Sequence, residues 1–286
     1  MTAAGIFLTH LESPRIRRHF DRLVEETAPR ITWHYVLSRD PYPHPDVPFA
    51  HPDPAQMLPA RYRAMLEHGG VQGGYLDTLL IPVLSGLDAD WLWLCEYDVD
   101  FAGRWDELFA RLAERQADVL TTTLMYRHQQ PKWPWWRNAA APFDVPPERW
   151  VRSLNPLLRL TRPALEAYAA AAADPRWKGH YEFILPTVAR EAGLRLEDFG
   201  GEGSFVPPGL ERSVYVGKSP EGRPPDLTFG FRPPRHDYFH EKPESFPRHG
   251  MLYHPVKPGV PAWTPETRNA HPASTREGRT GGPMAV

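Results

Sequence analysis

The chain has 286 residues, 41% hydrophobic and 24% charged, with 33 Lys and Arg against 35 Asp and Glu for a formal net charge of −2. That balance supports a sizeable core and leaves no global field to draw the protein to nucleic acid or an anionic membrane, so any anion binding must be local. Its 34 prolines, about twice the roughly 5% usage of an average protein, exclude a coiled coil and predict stiff loops where they cluster, in 41–59, 131–147, 207–247 and 255–283.

The one cysteine, Cys95, lies in an apolar run, so no intrachain disulfide forms and a reducing compartment is expected. No apolar segment approaches the ~20 residues of a membrane span. The first residues have neither the basic region nor the long apolar stretch of a signal peptide, so the expected setting is cytoplasmic.

In chain order, Ile6–Thr9 reads as a short strand, and Ser13-Pro14 opens a helix carrying Ile16, Phe20, Leu23 and Val24 at helical spacing. Ile31–Leu37 is β-rich, which makes the first forty residues a βαβ unit. A proline-rich loop over 41–54 precedes a helix containing Met57–Glu67, a glycine-bracketed turn, and an apolar segment from Tyr75 to Leu84. Trp91–Cys95 is a buried strand running into Glu96-Tyr-Asp98-Val-Asp100, followed by a helix over 105–117 and a strand at Val119–Leu124. A strand at Leu157–Leu160, helices over 164–173 and 181–192, and an extended piece at Arg195–Phe199 follow. Together they predict an α/β fold with a central, mostly parallel sheet of at least five strands flanked by helices. Beyond 207 the only compact island is Gly250–Lys257, and the tail at 264–286 is expected to be disordered.

Glu96, Asp98 and Asp100 alternate at the carboxyl end of a central strand, the edge of an α/β sheet where ligands bind. Like charges so placed repel one another unless a cation sits between them, and a hard divalent metal with oxygen ligands is the natural one. Solvated acids at a strand end are the alternative. Phosphate-loop, dinucleotide-binding, Cys-x-x-Cys and nucleophile-elbow patterns are all absent from the sequence, which argues against P-loop NTPases, dehydrogenases, zinc modules and serine hydrolases. Trp133, Trp135 and Trp136 cluster in a proline-stiffened loop, either as an aromatic platform for sugar faces or as core.

The segment from Asp90 to Trp105, with Glu96-Tyr-Asp98-Val-Asp-Phe-Ala-Gly103-Arg-Trp105, resembles the Asp-x-Asp region of GT-A-fold glycosyltransferases. The resemblance extends more diffusely from the first strand to about residue 257. It implies one GT-A-like domain over 1–263, with a nucleotide-binding half to about 125 and an acceptor half from about 126. It also implies Mn²⁺ or Mg²⁺ at Glu96 and Asp98, with Asp100 beside them and His254 completing the set, bound against the diphosphate of a nucleotide-sugar, a UDP-sugar above all. Lys257 would neutralise phosphate from the same loop. Thr9, His10, Asp40 and Asp77 match positions near the nucleotide. Glu182 is the candidate general base, with Asp198 second, and the three tryptophans would hold a carbohydrate or other hydroxyl acceptor. The alternatives are a non-catalytic nucleotide- or carbohydrate-binding protein and a metal-dependent nucleotidyltransferase or phosphohydrolase. Glutamate stands at 96 where the family usually has aspartate.

Overall fold

The computed structural model describes residues 2–39, 42–217, 226–230 and 246–256. Asp40, Lys257 and the tail at 264–286 lie outside the described residues.

The opening βαβ unit forms as expected. Strand β1 (Ala3–Thr9) leads to helix α1 (Pro14–Thr27), capped by the Ser13 hydroxyl, which accepts from the Ile16 N–H, and β2 (Thr32–Arg39) pairs parallel to β1. Within the loop expected over 41–54, β3 (Tyr42–Asp46) pairs antiparallel to β2 through Tyr42 and Asp46. Prolines at 43 and 45 fall between the two paired positions, where the register shifts, and an edge strand tolerates their missing N–H groups there. The helix expected over 57–67 is broken ahead of Pro59 into α2 (Pro54–Met57) and α3 (Pro59–Glu67).

Next come α4 (Asp77–Ser85), β4 (Trp91–Glu96), a two-residue strand β5 (Asp100–Phe101), α5 (Trp105–Ala113) and β6 (Val119–Tyr126). Strand β7 (Val151–Thr161), helices α6 (Arg162–Ala173) and α7 (Tyr181–Glu191), strand β8 (Leu196–Asp198) and strand β9 (Leu252–Tyr253) complete the described elements. Strand β7 begins well before the expected 157–160, since Arg152, Ser153, Asn155 and Pro156 interrupt the apolar pattern that would mark its first half in the sequence.

The main sheet has seven strands in the order β3-β2-β1-β4-β7-β6-β8. It is mixed rather than mostly parallel: β1, β2, β4, β6 and β8 point one way, while β3 and β7 run against them. Strand alternation divides the core between its two faces. Ile6, Leu8, Leu92 and Leu94 pack with α4, α6 and α7, whereas Phe7, Trp93 and Cys95 pack with α1 and α5.

This topology fixes where a ligand can sit. The chain leaves β1 toward β2 on one side and reaches β4 on the other, so a crevice opens beyond the carboxyl ends of β1 and β4. Thr9, Ser38, Glu96, Tyr126 and Asp198 therefore share one edge of the sheet, joined there by the first residues of β7. No helix among the described residues is long and apolar enough to cross a membrane.

Candidate functional site

Strand β4 ends at Glu96, and the chain turns immediately, with the Val99 N–H donating to the Glu96 carbonyl at 3.1 Å. The turn breaks the expected alternation. It separates Asp100 from the other acids: Asp100 Oδ1 accepts from Arg22 Nη1 at 2.9 Å and its Oδ2 lies 3.7 Å from His19 Nδ1. Arg22 also donates to the carbonyls of Phe101 and Gly103, so α1 clamps the segment that follows the turn. Asp100 thus anchors the acidic loop and is not grouped with Glu96 and Asp98.

The third member of the cluster arrives from more than a hundred residues away. Strand β5 pairs antiparallel with β9, Asp100 opposite Tyr253, and the Val256 N–H donates to the Asp98 carbonyl at 2.7 Å. His254 is thereby laid against Asp98, and ligand atoms of Glu96, Asp98 and His254 all fall within 4.8 Å of one another. Oxygen ligands on opposite sides of one ion are themselves about 4–5 Å apart, so the group has the span of a coordination sphere.

The tautomer of His254 suits the same purpose. Its Nδ1 lies 2.7 Å from the Gly230 carbonyl, which can only accept, so the proton is on Nδ1. In the neutral ring Nε2 then carries the lone pair, 3.7 Å from Asp98 Oδ1. A backbone carbonyl on the far nitrogen is the outer support that fixes a histidine for coordination. Two carboxylates and one imidazole fit Mn²⁺ better than Mg²⁺, which prefers an all-oxygen shell.

Glu96 also lines a cavity of about 230 Å³ at the β1/β4 crevice, together with Leu8, Thr9, His10, Ser38, Val71, Gln72, Leu76 and Tyr97. Thr9 and His10 thus both line this cavity. The Thr9 hydroxyl closes a turn by donating to the Leu11 carbonyl and accepting its N–H, while the His10 ring stands edge-on to Tyr97 at 5.2 Å. Asp77 is not at the cavity wall. It is fully buried, and its Oδ2 accepts from Arg61 Nε at 2.7 Å. Arg61 also donates to the Gly74 carbonyl at 2.8 Å, so this pair tethers the segment that carries Val71, Gln72 and Leu76.

The start of α7 stands near enough to Glu96 for Tyr181 to feel its charge. Glu182 lies in its first turn, buried, and its carboxyl is pushed up to about 7 by loss of solvent, against the opposing pull of Arg152. His180 caps the helix, its Nδ1 accepting from the Glu182 N–H, and burial with nearby Arg61 and Arg152 lowers its pKa to about 3, so the ring is neutral. Gly74 meets this cap directly. Its φ of +97° is open to glycine, and an added Cβ would come 2.5 Å from the His180 ring. The carbonyl of Gly74 accepts the Tyr181 N–H, tying the cavity segment to α7.

Asp198 and Trp136 hold structure. Asp198 Oδ1 accepts from the N–H groups of Gly200 and Gly201, and Oδ2 accepts from the Tyr215 hydroxyl and the Leu124 N–H, which fills the capacity of a carboxylate. No lone pair remains for an acceptor's proton. Pro134 opens a 3-10 turn, Pro134–Asn138, that directs the indoles inward. Trp136 donates to the Gln130 carbonyl and packs on Trp150 and Phe183. Trp133 and Trp135 flank His180, and of the three only Trp135 is half-exposed. Arg152, Asn155 and His180 are members of the site that periodicity does not mark. The signal for the first two is a run of polar residues in a strand that lies between two others.

No protein-family model matches the chain, and no curated protein matches it in sequence.

Two outcomes follow for stability. Arg61→Leu leaves a buried carboxylate at Asp77 and is expected to cost about 3–5 kcal/mol in urea denaturation, while Arg61→Leu combined with Asp77→Leu recovers most of it. Glu182 favours folding while protonated, and its contribution is lost as pH rises from the ordinary value of 4.5 to about 7. Glu182→Gln removes that loss, so its stability relative to the parent protein should rise by about 3 kcal/mol between pH 4.5 and 8, read by denaturation at each pH.

Proposed function

We propose that this protein is a metal-dependent glycosyltransferase with a GT-A-like fold, transferring a sugar from a nucleotide-diphosphate sugar to a hydroxyl acceptor. The observation that carries the reading is the position of Glu96, which belongs at once to the Glu96, Asp98 and His254 cluster and to the wall of the crevice cavity. A nucleoside seated in that cavity would direct its diphosphate toward the cluster. Mn²⁺ or Mg²⁺, when bound by these three residues, would supply charge compensation for the departing diphosphate.

The chain's own residues supply the rest. Leu8, Val71 and Leu76 offer apolar surface to a nucleobase, and Ser38 and Gln72 offer hydrogen-bonding groups beside it. Tyr181, next to Glu182 in the chain, feels the charge of Glu96 as well as that of Glu182. As general base, Glu182 takes the proton of the acceptor hydroxyl while that oxygen bonds to the anomeric carbon. The bond from that carbon to the β-phosphate oxygen breaks, and the diphosphate leaves with its electron pair. A carboxyl poised at about 7 matches this task near neutral pH, because a base is most effective when its pKa lies close to the working pH.

Calorimetric titration with UDP in the presence of Mn²⁺ tests the donor half. Asp98→Ala and His254→Ala should each weaken Mn²⁺-dependent binding by at least about tenfold, and unchanged affinity removes the metal assignment. Turnover over UDP-, GDP- and TDP-sugars separates the classes of activity. Free nucleoside diphosphate with glycoside means transfer, sugar phosphate or pyrophosphate means the alternative chemistries, and saturation without product means a binding protein. In an active preparation kcat/KM should rise with pH through about 7, the ionisation of Glu182, and Glu182→Gln should lose turnover while retaining UDP binding.

A further inference from the structure

Around the start of α7 lies a set of buried polar atoms that the protein leaves without hydrogen-bond partners: Trp133 Nε1, Trp135 Nε1, Arg152 Nε, Asn155 Nδ2 and Glu182 Oε2. Their residues are linked to one another through Trp133, His180 and Glu182. The Trp133 and Trp135 rings stand 5.7 and 4.9 Å from the His180 ring, and the Arg152 guanidinium carbon is 5.3 Å from the centre of Trp133. Glu182 Oε2 is 3.4 Å from His180 Nδ1, and both the Arg152 charge and the Asn155 backbone N–H act on the Glu182 carboxyl. The terminal nitrogens of Arg152 are already engaged, by Gln130 Oε1 at 2.7 Å and the Ser153 carbonyl at 3.0 Å, which leaves Nε to offer. Folded proteins satisfy nearly all buried polar groups, so five such atoms together point to an occupant.

The donor set defines the occupant's chemistry. Four of the five atoms carry N–H protons, matching the roughly four lone-pair sites of one carboxylate. Arg152 is the one formal positive charge among them, and it already stands beside Glu182, so a singly charged anion suits the site better than a doubly charged phosphate. The remaining atom, Glu182 Oε2, can accept from a hydroxyl. Trp135 is the half-exposed member, and Lys132, Arg137 and Lys178 are exposed on the segments around it, giving the approach a local positive charge.

We propose that this cluster binds a small hydroxylated carboxylate, such as a sugar acid or hydroxy acid, with its carboxylate on Arg152, Asn155 and the two indoles and a hydroxyl on Glu182. Its role as the sugar acceptor rests on the transferase reading; the binding itself does not.

The full-length protein is titrated separately with D-glucuronate and with D-glucose, which lacks the carboxylate, and followed by indole fluorescence and calorimetry. Glucuronate should bind at least about tenfold more tightly than glucose, a charge-assisted preference. Trp135→Phe keeps the ring and removes one donor, so it should weaken glucuronate binding about three- to tenfold with the thermal midpoint unchanged. Asp98→Ala, which disables the metal cluster, should leave glucuronate binding intact. Equal affinity for the two sugars, no binding of glucuronate to the folded protein, or no effect of Trp135→Phe overturns the assignment and leaves water as the occupant. Intact glucuronate binding without donor turnover removes the transferase reading alone.

Discussion

The site depends on a reversal of direction at the end of β4. A strand carrying Glu96 stops, turns through Tyr97 and Asp98, and restarts as the short β5, which pairs with β9 from the far end of the described chain. Without that turn the acids would alternate along an extended strand, and nothing would bring His254 to them. With it, two carboxylates and an imidazole whose proton is committed to Gly230 are gathered within 4.8 Å. Arg22 and His19 of α1 engage Asp100 and hold the loop in place.

A second constraint ties the two halves of the sheet's carboxyl edge. Arg61 joins Asp77 and the Gly74 carbonyl, while Gly74 lies against His180 and accepts the Tyr181 N–H. The segment lining the crevice and the helix start bearing Glu182 therefore rest on the same few residues. A buried ion pair gives weak net stabilisation compared with an apolar pair of similar size. Its worth here is geometric, since Arg61 reads the backbone of one segment through the side chain of a helix. Burial at this junction also sets the chemistry: it holds His180 neutral and brings the Glu182 carboxyl up to about 7.

Much of this was legible from residue order. The Ser13-Pro14 helix start, the apolar β4 run, and the acids following it need only local rules of capping and alternation, and they place an acidic cluster at the carboxyl edge of an α/β sheet. Other residues carried a misleading local signal. Pro43 and Pro45 look like loop residues until an edge position makes their missing N–H groups harmless. Three neighbouring tryptophans suit a platform or a core equally until the fold around a 3-10 turn buries Trp133 and Trp136. Asp198 looks like a free acid until four donors are found on it.

By itself the sequence determined the near-neutral charge, which is a count of residues, and the alternating α/β elements and the identity of the acids at the end of β4, which follow from spacing within a few residues. Tertiary structure alone decided which acids act together. Asp100 goes to Arg22 and Asp77 to Arg61, whereas Glu96 and Asp98 meet His254, since those pairings span from 16 to more than a hundred residues of chain. It also decided that Glu182, an ordinary first-turn glutamate by position, is a carboxyl deprived of water beside Arg152 and His180. Desolvation and long-range pairing depend on what surrounds a side chain, and that is fixed only when the sheet has closed and its helices have packed.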